Sequence, residues 1–295
     1  MNPYVVIDIG GTSIKYGLAD AKGQLLETHE MPTEAQKGGP HILNTTKEIV
    51  ARYLKKHALA GVAISSAGMV DPDKGEIFYA GPQIPNYAGT QFKKEIEETF
   101  QIPCEIENDV NCAGLAEVTT CHAKGSNNAV CLTIGTGIGG CLLLDGQVFH
   151  GFSNSACEVG YLHLPDGAFQ DLASTTALVE YVAEHHGDPV EQWNGRRIFK
   201  QATEGDKICM AGIDRMVTYL GKGLANIVYV VNPEVIVLGV GIMAQEAILK
   251  PKIYQALCAE LVPSLADKIR LEFAHHQNAA GMLGAYYHFR QKHGT

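Results

Sequence analysis

Apolar residues fall along the chain in two alternating rhythms. Tyr4-Val5-Val6-Ile7-Asp8-Ile9 is apolar except at Asp8 and stops at Gly10-Gly11-Thr12. That pattern predicts a buried strand closed by a glycine turn. Residues 14–19 read as a second strand, Asp20-Ala21-Lys22-Gly23 as a turn and 24–28 as a third strand. Over 41–56 the apolar positions Ile42, Leu43, Ile49, Val50, Tyr53 and Leu54 keep helical spacing. A short strand over 61–65 follows. Phe92, Ile96 and Phe100 then mark a helix with Thr90 as candidate N-cap. A strand over 103–107 runs into a helix over 109–118.

The second half restarts the same way. Residues 130–134 predict a strand, Gly135-Thr136-Gly137 a turn, and the run through Leu142-Leu143-Leu144 a strand ending at Asp145-Gly146. Ile7-Asp8-Ile9-Gly10 lies over Leu132-Thr133-Ile134-Gly135, and Leu18-Ala19-Asp20 over Leu143-Leu144-Asp145. The shared register favours a duplicated strand–turn–strand unit over two unrelated hairpins. Helices are expected over 174–186, 213–231, 247–261 and 279–291, and a glycine-ended strand over 233–239. Repeated units of this kind predict an α/β protein of two lobes around a central cleft.

Composition narrows the class. The chain has 295 residues, 46% hydrophobic and 19% charged, which is ordinary globular usage. Its net charge of -9 disfavours a nucleic-acid partner. Eight cysteines occur without a CxxC pair, as in Val130-Cys131-Leu132. They read as small buried hydrophobes in a reducing compartment. Residues 1–4 carry no basic leader, and the longest apolar stretch, 235–244, is too short to cross a membrane. The expectation is a cytoplasmic protein with no membrane partner.

Gly135-Thr136-Gly137-Ile138-Gly139-Gly140 contains GxGxxG, but an apolar strand follows where a dinucleotide fold needs a helix. Two Gly/Thr turns, at Gly10-Gly11-Thr12 and Gly135-Thr136-Gly137, suit paired phosphate clamps, because such turns aim N–H groups and a hydroxyl outward. Asp8, just before the first clamp, caps its own turn or holds Mg²⁺ through water. Lys15 is a solvated lysine or a phosphate contact. Glu107-Asn108-Asp109-Val110-Asn111 joins a strand to a helix. Asn108 or Asp109 caps that helix, or Asp109 serves as general base for a substrate hydroxyl. Ser65-Ser66-Ala67-Gly68 and Ile84-Pro85-Asn86 are small polar turns suited to a hydroxylated ligand. His185-His186 and His275-His276 read as surface histidines without a ligand-spaced partner, so no zinc site is expected.

In order along nearly the whole chain, these segments resemble the ROK family of sugar kinases and repressors. The matching stretches are Asp8-Ile9-Gly10-Gly11-Thr12, Ser65-Ser66-Ala67-Gly68, Glu107-Asn108-Asp109-Val110-Asn111, Thr133 to Gly140, Glu158-Val159-Gly160 and Val237-Leu238-Gly239-Val240-Gly241. The resemblance implies the actin-like ATPase (ribonuclease H-like) fold, ATP with Mg²⁺, and phosphoryl transfer to a sugar 6-hydroxyl. It implies Asp109 as base, with Asn86, Asn108 and Glu158 on sugar hydroxyls and Ser66 and Gly68 beside them. It places Gly10, Gly11, Thr12, Thr133, Gly135, Thr136 and Gly137 on phosphates and Gly239 and Gly241 near the adenosine. The expected division is a small lobe over 1–115, joined by a helix over 279–295, and a large lobe over 116–278. The family suggests a homodimer.

Two departures bear on the substrate. Family kinases for free hexoses carry His after ExG, where this chain has Tyr161, and then a zinc-binding cysteine segment ending in Glu. Here 167–174 lack cysteines, and Gln170 stands where that Glu falls. Both groups hold the anomeric end of the sugar in the family. An aromatic Tyr161 suits a second ring instead. Glu-x-Gly-Tyr resembles the β-glucoside kinase branch, so a cellobiose-like β-glucoside is the expected substrate. Glucokinase or N-acetylmannosamine kinase is the alternative. A sugar-responsive regulator is disfavoured, because the first clamp strand begins at Tyr4 and leaves no room for a DNA-binding head.

Overall fold

The computed structural model describes residues 2–121 and 123–294. The last position of the expected 279–295 helix lies outside them. The chain divides into two units. The first comprises Met1–Thr119, His150–Ala156 and Asn278–Thr295, and the second Thr120–Phe149 and Cys157–Gln277.

In the first unit, β1 (Tyr4–Ile9), β2 (Ser13–Ala19) and β3 (Leu25–Pro32) form an antiparallel meander. β4 (Gly61–Ser66) lies parallel to β1; past the small hairpin of β5 (Met69–Asp71) and β6 (Glu76–Tyr79), β7 (Cys104–Asn108) lies parallel to β4. The sheet order is β3-β2-β1-β4-β7. Alternation along β1 sends Val5, Ile7 and Ile9 into a core shared with α1 (Gly39–Leu54) and α2 (Phe92–Phe100). Val6 points the other way, onto Met282, Ala285 and Phe289 of the C-terminal helix Ala280–Lys292. That helix packs so closely on α3 (Asp109–Thr120) that a Cβ on Gly284 would lie 1.8 Å from the Cys112 carbonyl oxygen, so only glycine fits there.

The second unit repeats the plan. β8 (Asn128–Ile134), β9 (Ile138–Leu144) and β10 (Gln147–Val148) form the meander, and β11 (His163–Leu164) with β12 (Gly167–Ala168) a short hairpin. β13 (Val235–Gly239) and β14 (Arg270–Phe273) complete the order β10-β9-β8-β13-β14, with β8, β13 and β14 parallel. The helices are α4 (Phe169–Ala173), α5 (Thr175–His186), α6 (Gly195–Thr203), α7 (Lys207–Val231), α8 (Glu246–Glu260) and the single turn α9 (Pro263–Ala266). Leu220, Leu224 and Val228 of α7 sit in the core with Phe169 and Leu238. Truncating one such fully buried aliphatic costs about 2–5 kcal/mol.

Some expectations change. The third strand continues to Pro32, because its pairing with β2 runs on to Ser13. Thr90 does not cap α2. Its hydroxyl donates to the Tyr87 carbonyl at 2.6 Å, and Gln91 takes the cap position. No helix among the described residues is long and apolar enough to cross a membrane.

Candidate functional site

Parallel pairing in the first unit lines up one row of polar residues. Asp8 pairs in register with Ser65, and Ser65 with Glu107. Residues at one register share a face, so this row meets the C-terminal helix. Ser65 Oγ donates to Asp8 Oδ1 at 2.7 Å. A Cβ on Gly281 would lie 2.3 Å from the same oxygen, so that glycine makes the space for the carboxylate. Asp8 Oδ2 has no partner among the described residues. Burial raises the Asp8 carboxyl above its ordinary value, against the Ser65 bond and the charge of Lys15, its cross-strand partner on β2.

Glu107 is fully buried. Its Oε1 accepts from the Asn108 amide at 2.7 Å and Asn111 Nδ2 at 3.0 Å. Its Oε2 lies 2.6 Å from His150 Nε2 and 3.5 Å from His288 Nδ1. Burial opposes ionisation, but the His150 bond first, and attraction to His288 and His150 after it, outweigh it and hold the carboxyl below its usual range.

The next register step faces the opposite way. Ser66 is buried, and its hydroxyl shares a 2.6 Å hydrogen bond with Tyr87 Oη. Ser66 therefore steadies the loop that carries Asn86. Asn86 itself is exposed, with φ of 52°. Asn108 ends β7 and uses its whole amide inside the protein. Nδ2 donates to the Gly68 carbonyl at 2.9 Å and to Asp109 Oδ1 at 3.0 Å. Oδ1 accepts from the amides of Val110 at 2.9 Å and Asn111 at 3.1 Å, which caps α3. Asp109 opens α3. Its Oδ1 also takes the Val110 amide at 2.9 Å, while Oδ2 has no partner among the described residues. Desolvation first, and the nearby Asp8 carboxylate second, push the Asp109 carboxyl up to about 7. One oxygen is tethered, the other is available, and the group changes charge near neutrality.

The first glycine turn is braced from outside. Thr33 donates its hydroxyl to the Gly10 carbonyl at 2.6 Å and its amide to the Thr12 carbonyl at 3.0 Å. Gly11 and Thr12 are exposed.

The second unit holds its own set. Thr133 stands on β8 where Asp8 stands on β1, and Gly239 pairs with it as Ser65 pairs with Asp8. The Gly135 amide donates to the Gly137 carbonyl at 3.0 Å, and the Thr175 amide at the start of α5 donates to the Gly135 carbonyl at 2.9 Å. Thr136 is exposed at the tip. Gln170 is wedged between two glycines, since a Cβ would meet its Oε1 at 2.8 Å from Gly137 and 3.0 Å from Gly160. Glu158 and Tyr161 flank Gly160, and both are exposed, Tyr161 by 59%. Gly241 has φ of 57° and follows Val240 at 74°, a value β-branched residues rarely adopt.

His150, His288 and Tyr87 are the members that sequence reasoning passed over, while Ser65 and Glu107 stood inside its candidate segments without a role of their own. Alternation from Asp8 would have found Ser65 and Glu107 by parity once the strands were paired. Nothing local points to His150, 43 positions from its partner.

The sequence profile of the ROK family matches residues 4–292. An uncharacterized protein of Clostridium perfringens is 47% identical over 99% of both chains. A β-glucoside kinase of Listeria monocytogenes is 33% identical over 97% of this chain and 96% of its own. Among solved structures, a ROK family protein from Streptococcus pneumoniae in complex with sucrose superposes with a TM-score of 0.87 at 28% identity, over 99% of both chains. A ROK family glucokinase from Streptomyces griseus in complex with glucose and AMPPNP gives 0.84 at 25% identity, over 98% of this chain and 99% of its own.

Proposed function

Because the chain belongs to the ROK family and has the actin-like ATPase fold of its sugar kinases, we propose that it transfers the γ-phosphoryl group of ATP to the 6-hydroxyl of a glucose unit, with a cellobiose-like β-glucoside as substrate. The observation that carries the reaction is Asp109, with Oδ1 tethered by Asn108 and Val110, Oδ2 available, and a carboxyl near 7.

Asp109 Oδ2 accepts the hydroxyl proton as the sugar oxygen bonds to the γ-phosphorus and the bond to the ADP oxygen breaks. A base whose pKa lies near the working pH combines ionised population with proton affinity. Phosphoryl transfer otherwise asks for positioning and charge neutralisation. The N–H groups and hydroxyls at Gly11, Thr12, Thr136 and Gly137 and the Thr133 hydroxyl suit phosphate oxygens, with Lys15 adding charge, while Gly10 and Gly135 shape the two turns, their own amides bonded to the Ser13 and Gly137 carbonyls. Gly239 and Gly241 are assigned to the adenosine end. Mg²⁺ fits Asp8, whose Oδ2 is a hard oxygen donor without a protein partner beside a glycine that clears space for it. When bound, the ion would neutralise phosphate charge.

Asn86 and Glu158 are assigned to sugar hydroxyls. Asn108 orients Asp109 and Gly68, because its own amide is already committed. The exposed ring of Tyr161 and the uncharged Gln170 support a second sugar ring over a free anomeric hydroxyl. A coupled ADP-release assay with cellobiose, glucose and N-acetylmannosamine tests the reading. Cellobiose is expected to give the highest kcat/KM. A clear preference for glucose refutes the glucoside assignment and leaves a glucokinase.

A further inference from the structure

In the second unit, well along the chain from the clamp, three unlike donor atoms converge. His186 is the last residue of α5, Asp206 caps α7, and Cys209 lies three residues into the same turn. The sequence suggested a surface histidine without a partner. The structure corrects this, because α5 and α7 pack together and bring the residues to one point. One donor atom from each lies within 4.8 Å of the others. His186 Nε2 is 3.3 Å from Asp206 Oδ2, yet it is buried and makes no hydrogen bond. Asp206 Oδ1 is already used as cap, accepting from the Cys209 amide at 2.8 Å, so Oδ2 is the oxygen left over. Cys209 is fully buried.

We propose that His186, Asp206 and Cys209 form a divalent metal site of the zinc type. Imidazole nitrogen, carboxylate oxygen and thiolate sulfur are the donor classes that Zn²⁺ takes tetrahedrally, and three of them leave a fourth position for water. A Mg²⁺ or Ca²⁺ site would be built from oxygens. Packing also fixes the histidine ring. The indole of Trp193 stacks on the His186 ring at 4.7 Å and 23°, and the Arg197 guanidinium covers the indole at 4.0 Å. Trp193 Nε1 donates to Asp188 Oδ2 at 3.1 Å, which fixes the ring. A bound ion would clamp the end of α5 to the start of α7 and close the segment that carries α6, a structural role separate from phosphoryl transfer. Cys209 binds metal as the thiolate, so binding displaces the thiol proton.

Trp193 is the only tryptophan in the chain, so its fluorescence reports on the His186 ring. The full-length protein, stripped with chelator, is titrated with Zn²⁺ by fluorescence and with Co²⁺ by absorption. One equivalent is expected to change the Trp193 emission, and Co²⁺ to give a near-ultraviolet thiolate charge-transfer band. Cys209→Ser removes the band. Asp206→Asn, which keeps the helix cap, and His186→Gln weaken Zn²⁺ by about tenfold or more, while circular dichroism without metal matches the wild type. Absence of a stoichiometric response, a Co²⁺ spectrum without the thiolate band, or wild-type affinity in folded variants overturns the proposal.

Discussion

Glu107 Oε2 and His150 Nε2 lie 2.6 Å apart, with the carboxylate fully buried and the imidazole one quarter exposed. The other oxygen of Glu107 holds the Asn108 amide, so this pair stands directly behind the residue that orients Asp109. His150→Ala leaves a buried charge short of a partner, which costs about 3 kcal/mol. A lower thermal midpoint is expected, with kcat falling more than sugar affinity. Glu107→Gln keeps the shape and removes the charge, so it is the milder change. The Glu107 carboxyl is held below its unfolded value. Its stabilisation is present above about pH 4.3 and is lost as pH falls through the folded value. Glu107→Gln should flatten that acid limb in denaturant titrations across pH.

Asp109→Asn keeps the tether to Asn108 and Val110, because an amide oxygen accepts as a carboxylate does. Only the base is lost. The expected result is a kcat lowered by about 10²–10⁴ with sugar affinity within a few-fold, read by calorimetry against turnover. Stability should move the other way. A carboxyl raised to about 7 binds its proton more tightly in the folded state. Its contribution is whole below the unfolded value of about 3.9 and is lost as pH climbs through 7. The variant's midpoint should draw above that of the wild type between pH 5 and pH 8, by about 2–4 °C per kcal/mol recovered.

The same titration governs rate. The base acts ionised, so kcat/KM should rise with pH and level off above an inflection near 7. The Asp8 charge is the second cause of that value, after desolvation. In Asp8→Asn the inflection, followed in residual turnover, should shift to lower pH. An inflection that stays put separates the two carboxylates.

Gly281→Ala tests Asp8 without touching its charge. The new Cβ would lie 2.3 Å from Oδ1, so the carboxylate must turn away from Ser65. The Mg²⁺ concentration for half-maximal rate is expected to rise about tenfold, at a fixed ATP level, with sugar KM little changed. Ser65→Ala removes the bond without the clash and should lie between the two.

How far the sequence reached depended on distance along the chain. β1, β8 and β13 were legible because each is a mainly apolar run ended by glycine, and the duplication was legible because the runs share a register. The start of α3 was visible in Asn108 and Asp109, since strand-end polar residues before a helix declare a cap. The β5–β6 hairpin and β14 were not, as runs of three or four residues carry little periodicity, and α6 was not, because Ile198 and Phe199 are its only large apolar residues. The Ser66 bond to Tyr87 was not legible because nothing in its neighbourhood announces that ring, and the His150 bond to Glu107 exists only after the sheet has formed.

Tyr161 offers the sharpest test of substrate choice. Its ring is 59% exposed and stands one residue past Gly160, against which Gln170 is wedged. If that ring stacks on the second sugar of a β-glucoside, removing it costs the disaccharide and not the monosaccharide. An aromatic contact of about 0.5–1.5 kcal/mol corresponds to a two- to tenfold change. Tyr161→His should lower the ratio of kcat/KM for cellobiose over glucose by about that factor. Its imidazole also offers a donor to a free anomeric hydroxyl, so the absolute value for glucose should rise. Equal losses on both sugars would mean that the ring supports the turn and touches no aglycone.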